Sequence, residues 1–285
     1  MLLQLVRFLA VYSYCFVVRT LKIKVETRHH HGHDVGERLY IHRHSVVHSL
    51  PAHPKIIAAL LFIFTVVATP ITWWFNFLGY FVLIVAVAIT AKIPLRTLFT
   101  RALIEIPFVF FAILMPFFGK GEIVSVGPFD LYQEGLIAAA GILIKGTLGV
   151  LTAITLSTST TAREMLRGLE KLKLPTLMVQ IASFMLRYVN VVNDEMERMK
   201  VARESRGFTA TGIQHWKVLA TAAGALFIRS YERGERVHLA MLSRGYTGVL
   251  PHEEPPKLSK SIWFTALALP ISALTILAIS LGLNI

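Results

Sequence analysis

Residues 135–157 read GLIAAAGILIKGTLGVLTAITLS, and Lys145 is the only charge among them. A helix rising about 1.5 Å per residue needs roughly 17–25 apolar residues to cross about 30 Å of hydrocarbon. This stretch meets that length. Four others do the same, the first marginally: 55–70 (KIIAALLFIFTVVATP), 72–91 (TWWFNFLGYFVLIVAVAITA), 102–118 (ALIEIPFVFFAILMPFF, with Glu105 inside it) and 261–283 (SIWFTALALPISALTILAISLGL). A bilayer interior offers the backbone no hydrogen-bonding partner, so these segments are expected to be helices. The alternating pattern of a membrane barrel is absent. The predicted fold class is therefore an all-α membrane protein with about five transmembrane helices and a domain of long helices outside the bilayer.

Composition excludes the soluble alternatives. Of 285 residues, 54% are hydrophobic and only 16% charged, against about 25% charged in ordinary soluble domains. The single cysteine, Cys15, excludes an internal disulfide framework and a Cys-rich metal site. Lys+Arg 29 against Asp+Glu 17 gives a net charge of +12, and the placement of these residues explains it. Eight basic residues lie in 1–55, three in 92–101 (Lys92, Arg96, Arg101) and sixteen in 158–260. The loop near Pro70 has none, and 119–134 has Lys120 alone against Glu122, Asp130 and Glu134. The positive-inside rule then puts the N-terminus, the 92–101 loop and 158–260 in the cytoplasm and the C-terminus outside. The excess is an orientation signal, with membrane lipid as its surroundings. Nucleic acid is not needed to explain it.

Four regions follow: 1–54, an N-terminal cytoplasmic or interfacial segment rich in histidine; 55–157, a membrane domain of four spans; 158–260, a cytoplasmic helical domain; and 261–285, the last span. Arg7 interrupts the apolar run in 1–18 (MLLQLVRFLAVYSYCFVV), and no small-residue cleavage site follows. This segment reads as an interfacial amphipathic helix rather than a secretory signal, with a short sixth span as the alternative.

Residues 158–260 are too polar to span and too apolar to be a linker. Leu166, Leu169, Leu172 and Leu174 precede Pro175, where a helix is expected to end. Apolar residues then recur at helical spacing from Met178 to Met199, and a second helical stretch runs from about Gln214 to Arg244. Residues 197–208 read ERMKVARESRGF, and residues 235–246 read ERVHLAMLSRGY. Glu-Arg-x-x-x-Ala-x-x-Ser-Arg-Gly-aromatic thus occurs twice, 38 positions apart. Residues four apart share a helix face, so Arg198, Ala202 and Arg206 line one side with Ser205 beside them. Arg236, Ala240 and Arg244 repeat this with Ser243. One Ser-Arg-Gly is an ordinary helix end, the arginine answering the macrodipole and the glycine forming the C-cap. Two matched copies point to two equivalent receptors, each taking a planar guanidinium between small residues.

With Leu172 to Pro175 (LKLP) and Phe184 to Tyr188 (FMLRY), this pair of helix ends resembles the transmembrane T component of energy-coupling factor transporters, most closely the CbiQ type. The resemblance covers about 40–283. It implies a membrane domain of about five spans and a cytoplasmic domain of coupling helices. Its implied partners are two ABC-type ATPases beneath and a substrate-binding membrane subunit alongside. The motif residues map to Ala202, Ser205, Arg206 and Gly207 and to Ala240, Ser243, Arg244 and Gly245. Alanine is usual before the arginine, where this chain has Ser205 and Ser243. The implied setting is a prokaryotic inner membrane. No cofactor is expected on this chain, since ATP and Mg would sit on the partner ATPases, and no catalytic residue is expected.

Other residues invite roles. Lys145 lies mid-span, where a charge usually faces protein or a polar cavity. Gly135-x-x-x-Ala139 and Gly149-x-x-x-Ala153 on the same stretch allow close helix packing. Lys145 and Gly149 are candidates for contact with the substrate subunit; snorkelling, or a hydrogen bond from Lys145 to a carbonyl, is the alternative. Glu105 is expected to reach the membrane interface, and Pro107, Pro116 and Pro270 to mark kinks. His29, His30, His31 and His33 belong to a cluster completed by His42, His44, His48 and His53. Imidazole ligates Co, Ni, Cu and Zn, so these are candidate metal ligands against the alternative of a solvated loop. Gly141 to Thr147 (GILIKGT) lacks the lysine that a phosphate-binding loop requires after its second glycine, and H-E-x-x-H, G-x-S-x-G and C-x-x-C are absent. The function expected is that of a coupling subunit of an importer for cobalt or nickel. A vitamin such as biotin, or several substrate subunits in turn, are alternatives within the class. A self-sufficient metal channel is the alternative outside it.

Overall fold

The computed structural model describes residues 40, 45–118, 123–126, 129–208, 215–248 and 260–283. They fall into two compact units, one from Leu39–Thr161 with Leu258–Ile285, the other from Ala162–Lys257. The amphipathic reading of 1–18 and the candidate ligands His29, His30, His31 and His33 lie outside the described residues.

The first unit begins with a short helix α1 (Val46–Ser49), capped by the Ser45 hydroxyl. Its apolar helices are α2 (Ala52–Ala68), α3 (Trp74–Thr90), α5 (Ile106–Phe118), α6 (Gln133–Ser159) and α10 (Lys260–Leu283). Helix α4 (Leu95–Ala102) leads through a 3-10 turn (Leu103–Glu105) into α5. Among the described residues, three helical stretches are long and apolar enough to cross a membrane: Arg96–Phe117, Gln133–Ser159 and Ser261–Gly282. Ala52–Ala68 and Trp74–Thr90 are equally apolar and shorter. The chain is thus a helical membrane protein, and the five apolar segments are the five read from the sequence. One addition is a hairpin between α5 and α6, with β1 (Ile123–Val126) antiparallel to β2 (Phe129–Tyr132) and Ile123 paired with Tyr132.

Helix α6 packs against α2, α3 and α5, and α10 packs against α2 and α3. Between them lie Phe62, Val66, Phe77, Tyr80, Ile84, Leu148 and Ala273. Phe62 and Phe77 meet the Tyr80 ring edge-on, at 6.1 Å each. The Tyr80 hydroxyl lies 3.1 Å from Thr69 Oγ1, so the buried phenol keeps a partner. Outward-facing Phe64, Phe75, Leu78, Phe111 and Ile113 are exposed. Apolar surface this continuous is what a bilayer covers. At the other end of α2, buried Lys55 donates to Ser159 O at 3.0 Å and Thr160 Oγ1 at 3.3 Å. Its ammonium satisfies the last turn of α6, where carbonyls lack helical partners and the macrodipole is negative.

The second unit consists of α7 (Ala162–Lys171), α8 (Thr176–Glu204) and α9 (Trp216–Leu242). Helix α7 packs against α8. In α8 only Val179 and Gln180 are buried, and in α9 no residue is.

Candidate functional site

Both copies of the repeated motif end their helices in the same way. After α8, Gly207 adopts φ 76°, its N–H donates to Glu204 O at 2.9 Å, and the Phe208 N–H donates to Arg203 O at 3.1 Å. After α9, Gly245 adopts φ 85°, its N–H donates to Leu242 O at 3.0 Å, and the Tyr246 N–H donates to Met241 O at 3.0 Å. Each is a Schellman end, which needs a left-handed residue just past the helix and so favours glycine. The serines also match. Ser205 Oγ donates to Ala202 O at 3.2 Å and Ser243 Oγ to Ala240 O at 3.0 Å. Each hydroxyl thus folds back on its own helix, leaving a small surface much like the alanine it replaces.

Arg206 and Arg244 occupy the C-cap position of these ends and are exposed, as are Ala202 and Ala240. Among the described residues neither guanidinium makes a hydrogen bond or an ion pair. The remaining arginine of the second copy, Arg236, has Glu232 4.0 Å away. Each helix therefore presents one unpaired guanidinium at a rigid end, flanked by small residues. That arrangement can enter a groove and accept a bidentate carboxylate or backbone carbonyls.

The two ends differ in what holds them. Phe208 meets the His215 ring, at 5.0 Å between centroids. Tyr246 meets the His238 ring at 6.5 Å, and its hydroxyl donates to Gln180 Oε1 at 3.1 Å. Gln180 Nε2 donates in turn to Gly248 O at 3.1 Å. Gln180 escaped the sequence reading; its one signal is an amide inside the apolar run TLMVQIASFM (176–185). Farther along, α8 and α9 meet at the ion pair Glu195–Arg229. Beside it lies a groove of about 750 Å³ lined by Phe184, Tyr188, Val192, Arg233 and Val237. Leu177, Met178, Ile181 and Met185 are exposed on the first half of α8, and Ile181 and Met185 also line this groove.

Within the first unit, Lys145 Nζ donates to Val67 O at 2.8 Å and lies 6.0 Å from the centre of the Phe77 ring. Val67 is in the last turn of α2, so Lys145 satisfies a carbonyl that has no helical partner. Nothing in this chain approaches within 4 Å of a Cβ built on Gly149, so that glycine faces open space. Glu105 does not reach the interface, contrary to the expectation. It is 7% exposed, and the Thr147 hydroxyl lies 3.0 and 3.1 Å from its two carboxylate oxygens. The 3-10 turn carries it inward against α6, where Gly146 makes room: a Cβ there would sit 2.8 Å from Glu105 Oε1.

Comparison with known proteins agrees with this architecture. The family model described as cobalt transport protein, CbiQ, matches residues 43–256. An uncharacterized protein of Methanocaldococcus jannaschii is 31% identical over 67% of this chain and 68% of its own. The energy-coupling factor transporter transmembrane protein EcfT of Bacillus subtilis is 27% identical over 79% of this chain and 88% of its own. The cobalt transport protein CbiQ of Rhodobacter capsulatus is 26% identical over 55% of this chain and 63% of its own. With the apolar helices α2, α3, α5 and α6 and both arginine-bearing helix ends inside the matched region, the chain belongs to the CbiQ family of transporter membrane proteins.

Proposed function

We propose that this chain is the coupling subunit of an ATP-driven importer and that Arg206 and Arg244 are its anchors on two ABC-type ATPases. The observation that carries this reading is the duplication: two helix ends with matching Schellman bonds, back-bonded serines and unpaired arginines. Two such ends suit two equivalent grooves. Closing of the ATPases on ATP would move both ends, and α8 and α9 would carry the motion to a substrate-binding membrane subunit. The exposed apolar face of α8 (Leu177, Met178, Ile181, Met185) and Gly149 on α6 are surfaces this partner would cover. ATP and Mg would reside on the ATPases. The distribution of Lys and Arg supports a cytoplasmic N-terminus and second unit, with the C-terminus outside. Cobalt or nickel is the cargo we favour, in keeping with a relative named as a cobalt transport protein.

The decisive test is co-purification in mild detergent from the native host, with mass spectrometry of what accompanies the chain. Two ATPases, or one in two copies, and a small membrane protein are expected. The variant Arg206→Glu with Arg244→Glu is expected to lose the ATPases, because removing one partner of a desolvated charge pair costs about 2–5 kcal/mol. Unchanged co-purification of this variant would refute the coupling assignment. Isolation of the wild-type chain alone would favour a self-sufficient channel, which cobalt flux through the chain in liposomes would then test.

A further inference from the structure

The two helix ends match in backbone and differ in one atom that matters. The residue after Ser-Arg-Gly is Phe208 in the first copy and Tyr246 in the second. The extra hydroxyl is bonded to Gln180 Oε1, while the amide nitrogen of Gln180 holds Gly248 O. Gln180 is 6% exposed and is one of the two buried residues of α8. A buried amide with both its oxygen and its nitrogen engaged has a fixed orientation, and breaking either bond strands a polar group.

The placement of this contact along the chain gives it a role. Gln180 is in the second turn of α8, just past Pro175 and α7. The first residue of α7, Ala162, follows the end of membrane helix α6 by three residues, a reach of at most about 11 Å. Arg206 lies at the opposite end of α8, 26 residues from Gln180, or about 39 Å of helix. Helix α8 therefore carries one arginine at its own C-terminus. At its other extremity it grips the segment that follows the second arginine.

We propose that Gln180 is a positioning residue that latches the Arg244 end onto the start of α8. The two coupling ends are then mechanically unequal. Movement at Arg244 reaches the α7–α8 elbow through two hydrogen bonds, whereas movement at Arg206 must travel the length of α8. The inference rests on the coupling role proposed above, and the two fail separately.

The test uses the full chain with its co-purifying ATPases, in a Cys15→Ser background. Nitroxides are attached at Leu177→Cys and Leu239→Cys, both exposed positions, and their separation is read by pulsed EPR without ATP and with ATP plus vanadate. The expected result is one narrow distance, the same in both states. Gln180→Leu removes both bonds and is expected to broaden the distribution most, Tyr246→Phe removes one and broadens it less, and Phe208→Leu leaves it narrow. ATPase recovery is expected to be retained in all three. A wild-type distance that shifts with ATP, or a distribution left narrow by Gln180→Leu, would overturn the latch. Loss of the ATPases in these variants would overturn it too, reducing Gln180 to a determinant of docking geometry. Arg206→Glu with Arg244→Glu, measured alongside, addresses the coupling role alone: retained ATPases would refute that role while the spectra still decide the latch.

Discussion

Among the described residues, left-handed backbone closes α3, α7, α8 and α9, and at two of these stops the residue is lysine. Lys92 has φ 55° and Lys173 φ 65°, each with the hydrogen bonds of a Schellman end. The left-handed conformation costs a side-chain-bearing residue roughly 1–2 kcal/mol, and glycine largely escapes it. Lys173→Gly is therefore expected to raise the thermal unfolding midpoint in detergent, by an amount equivalent to at most about 1 kcal/mol. Gly207→Ala is expected to do the reverse locally, with faster amide exchange at Phe208. At Glu105 the constraint is space. Gly146→Ala would bring a methyl within 2.8 Å of Oε1, and overpacking of this kind costs about 1–3 kcal/mol. A lower unfolding midpoint checks it. The burial of Glu105 was not legible in advance, because its hydrogen-bonding partner Thr147 is 42 positions away and only packing joins them.

Whole elements were easier to read than their contacts. The apolar runs declare themselves by composition, and the stops after α8 and α9 by Ser-Arg-Gly, because both signals are local. Gln180 to Tyr246 spans 66 positions and Lys55 to Ser159 spans 104, so nothing nearby in the sequence marks them. The hairpin β1–β2 sits where the sequence shows only a connection between spans, and its strands are four residues each, too short to leave a period. Helix α9 is the element with most left to satisfy. It has no buried residue, and Phe227, Ile228 and Tyr231 are more than half exposed. Isolated helices are marginal without tertiary packing. Amide exchange along 216–242 is expected to be fast in the chain alone and at least about tenfold slower in the assembled transporter, equivalent to about 1.4 kcal/mol of added protection. Equal exchange in both would show that α9 is covered by no partner.

Across the whole molecule, polar satisfaction and exposed surface are divided between the two units. In the first, the lysines of α2 and α6 are engaged: Lys55 with the end of α6, Lys145 with the end of α2. Helices α2 and α3 have 17 residues each, about 26 Å of rise, against about 30 Å of hydrocarbon. The unfolding midpoint is expected to be higher in bilayers of shorter-chain lipid, where this mismatch shrinks. In the second unit, the arginine ends and the apolar side of α8 are exposed. A chain built this way has two fates in the cell. In the assembly proposed above, α9 would be covered. Before that it is an unprotected amphipathic rod, open to quality-control proteases that act on transiently frayed segments. The half-life of the chain then becomes a gauge of how many partners are present, and surplus copies are removed by turnover, with no regulator required.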